Sequence, residues 1–268
     1  MSGLAQDHAL LIDAVRSAGP TALHYFHGEV ESWEKGPGDP VSEADHAIDD
    51  VLKSRLTTAR PGYGWLSEET EDDPMRLERQ RVWVVDPIDG TRAFLQNKPE
   101  FTISAALVED GQPIAGVVFN PATDELFEAL RDGGARLNGQ PITVSGRADF
   151  HGARLLSGSR MFERAGWSAP PKDLEFAAIN SIAYRMALVA CGRYDGCVSL
   201  NTKSDWDIAA GELIVYEAGG RTSDARGHPL TYNAPEPLHN SVVVAGLALH
   251  DHLMEFLATV KRPPGVSW

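Results

Sequence analysis

Trp83-Val84-Val85-Asp86-Pro87-Ile88-Asp89-Gly90-Thr91 is the stretch on which the reading of this chain turns. Its apolar start, Trp83 to Val85, predicts a buried strand. That strand drives into two carboxylates three residues apart, a proline and a Gly-Thr pair. Its end therefore presents Asp86, the Ile88 carbonyl and Asp89 at one point, with Gly90 letting the backbone come close to a ligand. Thr91-Arg92-Ala93-Phe94-Leu95 can begin a helix whose free N–H groups suit an anion. Carboxylates with a backbone oxygen suit a hard divalent cation. Together these features point to metal-assisted phosphate chemistry. Taken alone the aspartates also fit a plain turn, since Asp-Pro and Asp-Gly pairs are common turn formers.

Upstream, Leu10, Leu11, Ala14, Val15, Ala18, Ala22 and Phe26 follow helical spacing and predict a helix from Asp7 to Phe26, with a kink at Gly19-Pro20. Ala44, Ala47, Ile48, Val51, Leu52 and Leu56 predict a second helix with Ser42 as N-cap. Tyr63–Leu66 reads as a short strand. Downstream, Phe101–Val108, Pro113–Phe119 and Leu126–Leu130 predict an antiparallel meander, and Asn138-Gly139 a tight turn. Beyond residue 150 the pattern changes. Strands at Arg154–Ser157 and Ser241–Ala245 alternate with helices at Ser181–Cys191, Trp206–Ala218 and Leu247–Thr259. The expectation is an α/β protein. Residues 1–150 form an N-terminal domain with an antiparallel sheet and helices, and 151–268 a smaller, more parallel α/β domain. Lys261–Trp268 reads as a loose end.

A chain of 268 residues can bury a sizeable core, and 43% hydrophobic with 23% charged residues is ordinary for a soluble globular protein. A net charge of −14 repels a nucleic-acid polymer, although bound cations would still admit a small phosphorylated metabolite. No signal peptide or membrane span is visible, and Cys191 and Cys197 lack CxxC spacing, so they read as reduced packing residues near a helix in a cytoplasmic protein. None of the nine histidines forms a zinc pattern, and His250 and His252 read as solvated.

Acidic residues recur where a strand ends or a helix starts: Asp45, Glu68 and Glu69, Asp86 and Asp89, and Asp207. Each alone also fits a first-turn helix acid or a solvated loop. The haloacid-dehalogenase phosphatase signature is a rival reading. Its aspartates are two apart, however, and its later Gly-Asp-x-x-x-Asp motif is missing, the only Gly-Asp pair being Gly38-Asp39. Taken in order, Val41-Ser42-Glu43-Ala44-Asp45, Leu66-Ser67-Glu68-Glu69, Asp86-Pro87-Ile88-Asp89-Gly90-Thr91 and Trp206-Asp207-Ile208-Ala209-Ala210-Gly211 resemble the inositol monophosphatase superfamily of magnesium-dependent, lithium-sensitive phosphomonoesterases.

That resemblance implies an α-β-α-β-α layered sandwich and a set of roles. Glu68, Asp86 and the Ile88 carbonyl would hold one Mg²⁺. Asp86 would bridge to a second ion completed by Asp89 and Asp207, and a third, looser ion near Glu68 would carry the attacking water. Two metals about 3.5–4 Å apart stabilise the entering and leaving oxygens of an in-line displacement. Asp45 and Thr91 would orient and deprotonate the water, and the Gly90 and Thr91 N–H groups would hold the phosphate. Relatives occur as monomers and dimers, which leaves a homodimer open.

Two positions bear on the substrate. Inositol monophosphatases carry a glutamate seven residues before the Trp-Asp aspartate, where this chain has Leu200. The nucleotidase branch carries a lysine at the position of Arg185, and arginine suits a second phosphate. A helix-surface arginine paired with an acid is the plainer alternative, and Lys203 fits either the cleft or the surface. Ser67 before the glutamates also leans to that branch, while Gly90-Thr91-Arg92-Ala93-Phe94 resembles histidinol phosphatases equally. The resulting expectation is a 3'(2'),5'-bisphosphate nucleotidase acting on 3'-phosphoadenosine 5'-phosphate. Inositol monophosphatase or histidinol phosphatase is the alternative, and a catalytically silent cation- or nucleotide-binding protein is the reading from a different class.

Overall fold

The computed structural model describes residues 3–36, 38–157 and 174–259, so the predicted loose end at Lys261–Trp268 lies outside the described residues. The chain opens with helix α1 (Gly3–Phe26), strands β1 (Ser32–Gly36) and β2 (Asp39–Ser42), and helix α2 (Glu43–Ala59). Next come β3 (Gly64–Ser67), a 3-10 turn (Pro74–Glu78), β4 (Arg81–Asp89) and the short helix α3 (Thr91–Leu95). A meander follows, made of β5 (Thr102–Glu109), β6 (Gln112–Asn120), β7 (Glu125–Leu130), β8 (Ala135–Leu137) and β9 (Gln140–Pro141). The later part holds β10 (Ala153–Ser157), β11 (Leu174–Ala178), α4 (Ile182–Ala190), β12 (Gly196–Ser199), β13 (Lys203–Ser204) and α5 (Asp205–Glu217). It closes with β14 (Gly220–Ser223), β15 (Leu238–His239), β16 (Val242–Gly246) and α6 (Leu247–Thr259).

Strands β3 to β9 form a seven-stranded sheet in sequence order, parallel only between β3 and β4. Because side chains alternate along a strand, β4 feeds two cores. Trp83 and Val85 pack with Leu11, Ala18, Ile48 and Leu52 of α1 and α2. Val82 and Val84 pack on the other face with Met186, Ile208 and Leu213 of α4 and α5, and with Val242 and Val244 of the second sheet. That five-stranded sheet has the order β11-β10-β12-β16-β14. Its outer face packs Leu155, Val243 and Ala245 against Leu249, Leu253 and Leu257 of α6. The layers therefore run α-β-α-β-α, as expected. The central core takes residues from either side of residue 150.

The second sheet is more parallel than the first, as expected, with β10 parallel to β11 and β12, while β16 is antiparallel to both its neighbours. Helix α1 is continuous through Gly19-Pro20, and Gly19 is there for packing, since a Cβ would meet Phe119 Cε1 at 2.7 Å. Two local readings need correction. Cys197 lies on strand β12, although both cysteines are free as expected. His250 is 2% exposed rather than solvated, with Nε2 against Ser223 Oγ at 3.0 Å.

The helix that matters most, α5, sits unusually close to its neighbours. A Cβ on Gly116 of β6 would meet the Ala210 carbonyl oxygen at 3.0 Å, and one on Gly211 would meet Met186 Cβ at 2.9 Å. Small residues at these contacts bring the start of α5 up to the end of β4.

Candidate active site

Strand β4 does not stop at Val85, where its apolar run ends; it continues to Asp89 with one irregularity. Asp86 pairs with Ser104 and Asp89 with Thr102, so three steps on β4 oppose two on β5. This is a one-residue bulge, a position where a strand tolerates proline. In a regular strand, residues three apart face opposite sides. The extra residue returns Asp86 and Asp89 to the same side. Asp207 in the first turn of α5 completes the group, and carboxylate oxygens of the three lie within 4.8 Å of one another.

The chain engages these acids from several elements. Asp89 Oδ2 accepts from Ser181 Oγ at 2.7 Å and from the Ala183 N–H at 2.6 Å, at the start of α4. Asp207 Oδ2 accepts the Ser204 N–H at 2.7 Å. Asp45 uses the same Ser-x-x-Asp capping arrangement on α2, its Oδ2 accepting from Ser42 N–H at 2.8 Å and Ser42 Oγ at 2.6 Å. Thr91 Oγ1 reaches Asp45 Oδ1 at 3.1 Å and the Ile88 carbonyl at 3.0 Å. From the β1–β2 hairpin, Lys35 Nζ donates to Glu68 Oε1 at 2.7 Å and to Glu69 Oε1 at 2.8 Å. The cleft above them encloses about 430 Å³ and is lined by Lys35, Asp39, Glu68, Lys203, Trp206 and Asp207.

Crowding shows in the proton affinities. Burial holds the Asp86 carboxyl well above its ordinary range, with Glu68, Asp89 and Asp207 adding to the effect. Burial, then Asp207, pushes Asp89 up to about 6 against the hydrogen bonds from Ser181 and Ala183. Asp45 is pushed up to about 6 by burial, and Glu68 to about 7 by burial with Asp207 and Glu69, against Lys35. Asp86 Oδ1 is buried and has no hydrogen-bond partner among the described residues. An orphaned carboxylate oxygen among other hard oxygen donors, with excess negative charge, fits a Mg²⁺-like cation. A second cavity of about 310 Å³ includes Arg131, Glu212 and Tyr216, but its buried acid Glu212 is already bonded by the Tyr232 hydroxyl.

Of the residues expected at the site, Asp45, Glu68, Asp86, Ile88, Asp89, Gly90, Thr91 and Asp207 are gathered by this one set of contacts. Gly90 has φ +101°, and a Cβ there would meet the Glu100 carbonyl oxygen at 2.9 Å, so only glycine fits. Leu200 is elsewhere, 4% exposed within the apolar cluster of Leu155, Val198 and Leu249. Arg185 is not on the surface, and among the described residues it is not paired with an acid. It is 7% exposed, its Nε donates to the Asn180 carbonyl at 3.3 Å, and Nη1 has no partner among the described residues. Sequence reasoning missed Lys35 and Ser181 altogether. Ser42 and Ser204 were findable, since each stands three residues before a site aspartate.

The sequence model of the Inositol monophosphatase family matches residues 4–261. An inositol-1-monophosphatase of Mesorhizobium japonicum is 37% identical over 95% of this chain and 96% of its own length. The Nus factor SuhB of Xylella fastidiosa is 36% identical, covering 81% of this chain and 82% of its own. Among solved structures, the extragenic suppressor protein suhB from Bartonella henselae superposes with a TM-score of 0.82 at 29% identity, over 94% of this chain and 98% of that one. Among the described residues no helix is long and apolar enough to cross a membrane.

Proposed function

The chain belongs to the inositol monophosphatase family and is a metal-dependent phosphomonoesterase; on that premise we propose that it hydrolyses inositol phosphates, inositol 1-phosphate among them. One observation carries the site assignment: an unpartnered, buried Asp86 oxygen standing among Asp89, Asp207 and Glu68. The substrate reading draws on relatives named inositol-1-monophosphatase that match almost the whole chain. Leu200, on which the nucleotidase expectation partly rested, packs with Leu155, Val198 and Leu249.

In this reading Glu68, Asp86, the Ile88 carbonyl, Asp89 and Asp207 would hold the Mg²⁺ ions. When bound, Mg²⁺ supplies Lewis-acid stabilisation of the charge on the transferring phosphoryl group. The chain's own residues do the positioning. Thr91 Oγ1 accepts a proton from the attacking water as it passes its own to Asp45 Oδ1, 3.1 Å away. Asp45 is suited to this because a carboxyl at about 6 is ionised at neutral pH yet basic enough to take the proton. At the start of α3 the Gly90 and Thr91 backbone N–H groups would hold the phosphate. The deciding test is Mg²⁺-dependent phosphate release from inositol 1-phosphate, histidinol phosphate, 3'-phosphoadenosine 5'-phosphate and fructose 1,6-bisphosphate. Inositol 1-phosphate is expected to give the highest kcat/KM of the four. Release from none of them at any Mg²⁺ concentration would leave a silent binding protein.

A further inference from the structure

Two lysines line the cleft, and the fold treats them differently. Lys35 is answered by two carboxylates, at 2.7 and 2.8 Å. The Lys203 ammonium makes no hydrogen bond and no ion pair within 4.0 Å among the described residues. Its backbone, by contrast, is firmly held. Strand β13 consists of Lys203 and Ser204, paired antiparallel with His239 and Leu238 of β15. The next residues are pinned as well: Ser204 N–H on Asp207 Oδ2 at 2.7 Å, and Asp205 N–H on the Pro237 carbonyl at 3.0 Å. Asp205 is itself locked, its Oδ1 facing His239 Nε2 at 2.8 Å and its Oδ2 accepting the Asn233 N–H at 2.6 Å.

This fixed segment sets Lys203 on the cleft wall with Trp206 and Asp207. A cleft of about 430 Å³ is of small-molecule size, with room for more than one phosphate group. At the carboxylate cluster the scissile phosphate would meet the bound cations, which would repel an added ammonium. The free ammonium therefore serves the part of the substrate that does not react. We infer that Lys203 is a specificity-determining residue that binds a second phosphate on the substrate, so that a bisphosphate is preferred over the monophosphate of the same skeleton. The inference rests on the phosphomonoesterase reading above and names the substrate class of that same site.

The test compares wild type, Lys203→Met and Lys203→Arg with two matched pairs: inositol 1-phosphate with inositol 1,4-bisphosphate, and adenosine 3'-phosphate with 3'-phosphoadenosine 5'-phosphate. kcat and KM are measured separately at saturating Mg²⁺. In at least one pair, wild type is expected to favour the bisphosphate about tenfold or more in kcat/KM. Lys203→Met should remove that ratio through KM on the bisphosphate, and Lys203→Arg should restore most of it. Thermal unfolding of each variant without metal checks that the fold is kept. Equal losses on both members of each pair would mean that Lys203 acts through Asp89 or the scissile phosphate, and would overturn the inference. So would a wild type without preference in either pair, or an unchanged ratio in Lys203→Met. Wild type inactive on every substrate would instead overturn the phosphomonoesterase reading beneath it.

Discussion

Asp86 shows most directly how a single side chain links stability to activity. Its carboxyl is buried among Glu68, Asp89 and Asp207, and one oxygen has no partner among the described residues. Asp86→Asn keeps the shape and removes the charge. It should abolish Mg²⁺ binding and turnover, and raise metal-free stability on the order of 1 kcal/mol, because like-charge repulsion falls. Calorimetric Mg²⁺ titration and metal-free thermal unfolding read the two effects. A variant that still binds Mg²⁺ like wild type would contradict the assignment. Ser181 acts one contact further out, orienting Asp89 through a 2.7 Å hydrogen bond. Ser181→Ala should weaken Mg²⁺ affinity by about 10-fold, the usual cost of losing a partner behind a ligand. An unchanged Mg²⁺ requirement would make Ser181 only a helix cap. The acids were legible because each interrupts or follows an apolar pattern. Ser181 was not, since 92 residues of sequence separate it from Asp89.

At the level of elements, the bulge in β4 and the seating of α5 decide whether the acids converge. Sequence could show that Asp86 and Asp89 are three apart, but strict alternation would have sent them to opposite faces. Pairing with β5 supplies the extra residue that reunites them. The β1–β2 hairpin escaped prediction because Ser32–Gly36 is mostly exposed and lacks the alternation of a half-buried strand. Yet it delivers Lys35 to Glu68. Helix α5 depends on Gly116, whose missing Cβ admits the Ala210 backbone. Gly116→Val should force α5 outward, costing about 2 kcal/mol of stability by overpacking. Because α5 carries Asp207, the same variant should need more Mg²⁺ for half-maximal activity. Loss of stability with an unchanged Mg²⁺ requirement would show that α5 and the site are not coupled.

For the whole molecule, the crowded acids set the pH dependence of folding. Asp45 and Asp89 sit at about 6 and Glu68 at about 7, all above the ordinary carboxylate range near 4. Between about pH 4 and 7 the folded chain therefore binds protons that the unfolded chain releases, and stability falls as pH rises through that window. Asp45 alone corresponds to a change on the order of 3 kcal/mol. The metal-free protein should accordingly melt at a lower temperature at pH 8 than at pH 5. Millimolar Mg²⁺ should recover much of the loss at pH 8, since it binds only the folded site. A Tm that rises from pH 5 to pH 8 without metal would contradict this picture.

Local patterns in the sequence determined a good deal by themselves. Apolar spacing marked α1, α2, the meander and α6, and four short motifs in order identified the family and its acids. Those are signals written within a few turns or a single strand, where side-chain period and capping chemistry act. Tertiary structure alone decided the rest. Leu200 turned out to fill the core under α6 while Arg185 was drawn into the interior, because burial depends on which elements meet. The bulge, the hairpin that brings Lys35, and the held segment behind Lys203 likewise arise from pairings between distant strands. Such contacts depend on how layers stack, and no window of sequence contains both partners.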